Sequence, residues 1–247
     1  MAAQHGRNST VWWNSLDVTG YLDNADYSLD TDTDEVSRYG MGWKEYVTGT
    51  TSATVAFTGV YDAVSESAIE GQLRTDNGVL TYCPSAGATV GDRAKLLSVT
   101  STTYSDASPV GGAVRFGWDV TTQDSVGIGQ VLHPMGKDTN TTTGSSKDDT
   151  AATSTGWQAH VHITGVDGGS WVIKLQDSAD NSTGWADITG AVFTQVTDAN
   201  TSAATLEKIV LNVDACARYV RAVKDIGGTS SPAFDVTCVG VGVKQVR

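Results

Sequence analysis

Apolar and polar residues trade places one for one at several points in this chain, and that rhythm leaves few folds open. In residues 54–61, Val55, Phe57 and Tyr61 share one face, while Thr54, Ala56 and Thr58 share the other. Residues 113–121 set Val114, Phe116, Trp118 and Val120 against Arg115, Gly117 and Asp119. Residues 157–164 set Trp157, Ala159, Val161 and Ile163 against Gln158, His160, His162 and Thr164. Trp171, Ile173 and Leu175 alternate with Val172, Lys174 and Gln176. A period of two is that of a strand with one face buried. Thr, Ser, Val, Gly and Ala dominate and Pro is scarce, which suits pleated surfaces. The expected class is mostly β: an N-terminal β-sandwich or barrel with one helix, then a C-terminal antiparallel β-sandwich.

The expected domains are residues 1–137, a linker at 138–156, and residues 157–247. At 247 residues the chain is long enough for each domain to bury its own core. The first domain opens with an N-terminal arm, in which the Trp12–Trp13 pair packs more readily on its own domain than on a neighbour. One helix is expected at about 62–75. Asp62 caps it, Val64, Ala68, Ile69 and Leu73 fall on one side, and Asn77-Gly78 ends it. Further strands are expected at 79–83, 93–104 and 128–133. The linker is mostly Thr, Ser, Asp and Gly, without apolar periodicity. Asp167-Gly168-Gly169 reads as a hairpin turn.

Acidity excludes some partners. The formal net charge is −12. Residues 1–137 carry 16 acids against 8 bases, and residues 138–247 carry 12 against 8. A protein that grips nucleic acid needs a clustered Lys/Arg surface, and anionic membranes ask for the same. No run of ~18 apolar residues is present to span a bilayer. The N-terminal segment lacks an apolar core of signal-peptide length. Cys83, Cys216 and Cys238 match no zinc or redox spacing and read as buried free thiols.

The candidate chemistry is thin. His160 and His162 share a strand face, but a metal site needs further ligands, and none stands at a recognisable spacing. They read as exposed polar-face histidines. Asp30, Asp32, Asp34 and Glu35 look superficially like the start of a calcium loop, yet a central Gly is missing at the required place. No nucleophile elbow, phosphate loop or dinucleotide fingerprint occurs. The expectation is therefore no catalytic residue, no metal, no cofactor and no enzymatic activity. Trp157 and Trp171, in phase with apolar neighbours, read as core. Trp185, after a polar loop, is the better candidate for stacking on a glycan.

The stretch GYLDNADYSLDTDTDEVSRYGMGWKEYVTGTTSATVAFTGVYD, residues 20–62, reads as an acidic arm or hairpin joined to a sheet. On a strand, Asp30, Asp32 and Asp34 share a face. Such close like charges demand bulk water or a wide channel. This stretch, the helix after it, and GDRAKLLSVTSTTYSDASPVGGAVRFGWDVTTQD resemble the tail tube (major tail) proteins of long-tailed bacteriophages, over about residues 16–135. Residues 157–247 look like the β-sandwich domains appended to phage virion proteins.

The resemblance implies a structural virion protein, made in the host cytoplasm and self-assembling into stacked homo-hexameric rings. The tape measure protein and then DNA would pass through the bore without specific binding, as ejection requires. Asp26, Asp30, Asp32, Asp34 and Glu35 would face the lumen or the ring seam. Trp43, Lys44, Glu45 and Tyr46 would belong to a loop touching the next ring. Rival roles are a capsid decoration, a head fibre, a baseplate component, or a carbohydrate-binding module using Trp185.

Overall fold

The computed structural model describes residues 6–14, 16–61, 69–70, 78–84, 89–153, 156–167, 169–197, 206–211, 216–227 and 233–246. In chain order the strands are β1 (Thr10–Trp13), β2 (Leu16–Asp17), β3 (Leu22–Glu35), β4 (Tyr46–Val60), β5 (Gly78–Cys83) and β6 (Arg93–Ala107). They continue with β7 (Arg115–Thr122), β8 (Val126–Asp138), β9 (Thr142–Thr143), β10 (Lys147–Asp148), β11 (Trp157–Asp167) and β12 (Ser170–Ser178). The last are β13 (Ala186–Val192), β14 (Val196–Thr197), β15 (Leu206–Leu211), β16 (Tyr219–Gly227) and β17 (Ala233–Val246). The mostly-β class is as the alternation requires. Of the expected helix, Ile69 and Glu70 are helical; residues 62–68 and 71–77 lie outside the described residues.

The chain divides into two compact units that are not contiguous in sequence. The first comprises Met1–Gly20, Gly78–Ser98 and Val126–Val246; the second, Tyr21–Asn77 and Val99–Ser125.

In the second unit the antiparallel order is β3-β4-β7-β6. Its apolar face is built from the alternation. Ala53, Val55 and Phe57 of β4 and Phe116, Trp118 and Val120 of β7 are buried. Val55 stands opposite Val120 and Phe57 opposite Trp118, and the last two rings lie 5.3 Å apart. The Trp118 indole N–H donates to Ser101 Oγ at 3.0 Å, satisfying the one polar atom that this ring carries inward. Gly59 belongs where it is because a side chain would not fit. A Cβ there would run into the Tyr21 carbonyl and come within 2.6 Å of the Phe116 ring.

In the first unit, one sheet runs β15-β11-β17-β8-β6-β5-β1-β2 and the other β10-β16-β12-β13, with β9 beside β16 and β14 beside β12. Leu132, Trp157, Ala159, Val161 and Ile163 of the first sheet pack against Trp171, Ile173, Leu175, Val220 and Ala222 of the second. Trp12, Cys83, Ala94, Leu96 and Val131 form a separate cluster. The tryptophan pair of β1 is thus buried in its own unit. Residues 138–156, read as a linker, carry β9 and β10, both paired with β16.

Two expectations are corrected here. Asp167-Gly168-Gly169 does not close a hairpin ladder: β11 pairs with β15 and β17, whereas β12 pairs with β13, β14 and β16. The connection leads from one sheet to the other, so that Ile163 and Trp171 meet in one core. His160 and His162 are fully buried instead of exposed. The first sheet bends back on itself, and Thr81 of β5 lies over them. Gln158 Nε2 donates to His160 Nε2 at 2.7 Å, so the other His160 nitrogen carries the proton and donates to Thr81 Oγ1 at 3.1 Å. The Thr81 hydroxyl then donates to His162 Nε2 at 2.8 Å. Trp12 stacks on His162. Burial alone pushes the His162 pKa down to about 3.

A candidate assembly surface

The acidic stretch is the first strand of a hairpin, and the hairpin outgrows its sheet. β4 pairs with β7 only from Thr54 to Val60. The Ala53 N–H still reaches β7, donating to Thr122 Oγ1 at 2.9 Å; beyond it Tyr46–Ser52 pairs only with β3 among the described residues, in register with Asp30–Glu35. The result is a two-stranded ribbon projecting ~20 Å before its turn. Its residues are Thr-, Ser- and Val-rich, which suits a strand. Hydroxyl pairs link the strands: Ser28 with Thr54 at 2.6 Å, Thr31 with Thr51 at 3.0 Å, and Thr50 to Asp32 at 3.1 Å. Each such pair contributes about 0.2–1 kcal/mol. A bulge sets Asp32 against both Gly49 and Thr50, since Thr31 pairs with Thr51 and Thr33 with Thr48.

The tip spans residues 36–45. The Val36 N–H donates to the Glu45 carbonyl at 2.8 Å, and the Met41 N–H to the Arg38 carbonyl at 3.1 Å. Gly40 takes φ +92° inside that turn, a conformation that favours glycine. Lys44 and Glu35 pair at 2.7 Å. Tyr39 (110%), Trp43 (89%), Met41, Tyr46 and Val47 are exposed. A run of bare aromatic and aliphatic side chains on a thin ribbon is unusual for a lone soluble subunit.

On β3 the alternation is unbroken from Asn24 onward, so Asp26, Asp30, Asp32 and Asp34 share one face with Ser28. Glu35, opposite Tyr46, falls on the other. The first face continues over Thr54, Ala56 and Thr58 of β4 and Asp119 and Thr121 of β7. Its one cation among the described residues is Arg115, which ion-pairs with Asp23. The Thr58 hydroxyl donates to Asp23 at 2.6 Å. That bond, with the Arg115 hydrogen bond and charge behind it, holds the Asp23 carboxyl below the usual carboxylate range against the opposing effect of burial. Asp119, on the core-phased strand β7, was not singled out by sequence; only the pairing of β7 with β4 brings it to this face.

The remaining sequence candidates disperse. Trp157 and Trp171 are core residues. Trp185 is half-buried, and the Arg221 guanidinium lies over its ring at 4.1 Å; Arg221 in turn donates twice to Gln176 Oε1. Among the described residues no group of three or more His, Cys, Asp or Glu is placed to hold a metal ion, and no helix is long and apolar enough to cross a membrane. Cys83 and Cys216 are buried free thiols, each pushed up to about 12, chiefly by burial.

Sequence reasoning missed one cluster altogether. Asp138, at the end of β8, is buried between the two sheets of the first unit. His133 Nε2 reaches its Oδ2 at 2.8 Å, the Trp171 indole N–H donates to the same oxygen at 3.1 Å, and Lys224 Nζ of β16 meets Oδ1. Burial works most strongly against the charge, yet hydrogen bonds and charges from His133 and Lys224 together outweigh it and hold the carboxyl below its ordinary range. No local signal connects residues 86 positions apart.

No family model matches the chain, and neither does any curated protein. Similar folds occur among solved structures. The tail of an empty gene transfer agent particle, with C6 symmetry, is 17% identical, over 50% of this chain and 97% of that one, at a TM-score of 0.41. The SPP1 Dit (gp 19.1) protein is 12% identical, over 94% and 98%, at 0.36. The cap terminating the anti-feeding prophage tube is 15% identical, over 53% and 93%, at 0.40. At such scores function has to be read from the residues of this chain.

Proposed function

We propose that this chain is a structural virion protein, the ring-forming subunit of a phage tail tube. The observation that carries the reading is the two-stranded ribbon with its bare aromatic tip. An isolated hairpin is marginal in water, and this one exposes Tyr39, Met41 and Trp43 at its end. It gains most by docking on a further copy. β3 supplies a second docking element. Its strand partner among the described residues is β4, so over Leu29–Glu35 its outer side can pair across a subunit boundary, and closure into a shared barrel removes the edge.

The face bearing Asp26, Asp30, Asp32, Asp34 and Asp119 then lines the bore. DNA presents a negative charge every ~1.7 Å of axis, and basic surfaces bind it without sequence preference. A lumen of carboxylates and small hydroxyls repels the genome, letting it and the tape measure protein slide. Glu35, on the opposite face and tied to Lys44, belongs with the tip residues Trp43, Glu45 and Tyr46 at the contact between rings. Trp185, with one ring face occupied by Arg221, is assigned to the outer surface of its own sandwich.

Electron microscopy of the purified protein tests the reading. Rings or hollow tubes are expected, and tubes built from the Asp30→Lys, Asp32→Lys, Asp34→Lys triple variant should retain DNA at low salt. A protein that stays monomeric at every concentration overturns the proposal. A closed decoration or hub assembly, without tubes, moves the chain elsewhere in the virion.

A further inference from the structure

The Asp138 cluster is arranged for a bond as well as an ion pair. Asp138 and Lys224 come from facing sheets, and their side chains are 6% and 15% exposed. Lys224 Nζ lies against Oδ1, while His133 and Trp171 both address Oδ2. His133 Nδ1 is held by the Pro134 carbonyl at 2.7 Å, which fixes the imidazole plane. The two carboxylate oxygens therefore have different surroundings: one faces a primary amine, the other two ring nitrogens placed to steady negative charge.

We propose that Lys224 and Asp138 condense into an intramolecular isopeptide bond. Nζ passes a proton to Oδ1, and its lone pair attacks Cγ. Charge gathers on Oδ2, where the Trp171 N–H meets it, joined by His133 Nε2–H when the ring is the imidazolium that donates from Nδ1 to the Pro134 carbonyl and from Nε2 to Oδ2, in the manner of an oxyanion hole. The Cγ–Oδ1 bond breaks, and Oδ1 leaves as water carrying two of the three protons of the ammonium. An ammonium and a carboxylate become a neutral amide, so charge and atoms balance with no outside reagent. Holding the reactants in contact supplies the large effective concentration that such a step needs, and burial favours a neutral product over a charged pair. The contacts that hold Asp138 ionised make the neutral reactants a minor population, so condensation is slow and follows folding. His133 and Trp171 act here as positioning groups. The bond would join β8 to β16 across a loop of 86 residues, restraining the unfolded chain strongly. This inference stands apart from the ring-forming role.

The test is mass spectrometry of the full-length chain, incubated at neutral pH and then denatured. The wild type should be lighter than its sequence by one water, in a fraction that grows with time. Digestion should yield a branched peptide joining the segments of Asp138 and Lys224. Lys224→Arg, which keeps the cation, should show neither. Asp138→Asn should give the same branched peptide with loss of ammonia. Recovery of both wild-type residues in separate linear peptides after long incubation means an ordinary ion pair and overturns the proposal. Water loss that persists in Lys224→Arg arises elsewhere and also overturns it.

Discussion

Mild acid should weaken the first unit through His162, by an amount that can be worked out in advance. The ring is fully buried, and its Nε2 accepts the Thr81 hydroxyl, so the folded protein takes up that proton only near pH 3. The unfolded chain takes it up near the ordinary value of 6.5. Between those limits the unfolded state binds more protons, and stability falls as pH falls. The contribution is complete above pH 6.5 and declines steadily towards pH 3. At pH 5 the gap from 6.5 corresponds to ~2 kcal/mol, while carboxylates are still ionised in both states. Urea unfolding at pH 7.5 and pH 5 would measure it, with His162→Gln as the comparison. The variant starts out less stable, because a packed ring is lost, but its drop between the two pH values should be smaller by most of that amount. His160 remains in both proteins, so the difference isolates position 162. Equal drops in wild type and variant would refute the assignment of the penalty to this ring.

Two further perturbations separate core from surface in the second unit. Gly59→Ala places a methyl group against the Tyr21 carbonyl and the Phe116 ring; a loss of about 1–3 kcal/mol, the usual range for overpacking, is expected by thermal unfolding, and an unchanged melting temperature would show that the β3–β4 crossing relaxes freely. Tyr39→Ser with Trp43→Ser removes exposed rings, so monomer stability should move by no more than about 0.5 kcal/mol while sedimentation shows self-association lost; unaltered association would remove the tip from the docking surface.

The alternation made β7 and the inner half of β4 legible, because each has one dry face and one wet face. The outer half of β4, Tyr46–Ala53, is wet on both faces over most of its length and so has no apolar rhythm to read; its strand character comes from the cross-strand hydroxyls. The burial of His160 and His162, beside Gln158, is hidden from the sequence for the opposite reason. A polar face normally means water, but here the sheet bends over it, and mutual hydrogen bonds replace the solvent. The chemistry of Asp167-Gly168-Gly169 announces a reversal, but not which sheet receives the next strand. The shared face of Asp26, Asp30, Asp32 and Asp34 follows from period two. The Asp138–Lys224 meeting depends on how two sheets stack, and nothing local in the sequence encodes it.

β17 pairs with β8 on one side and β11 on the other, so a late segment of the chain forms an inner rung of its sheet. During synthesis β8 and β11 must wait, with those edges open, until that segment has left the ribosome. Folding of this sheet therefore waits on β17, and premature pairing of β8 or β11 with another nascent copy is the hazard it has to outrun.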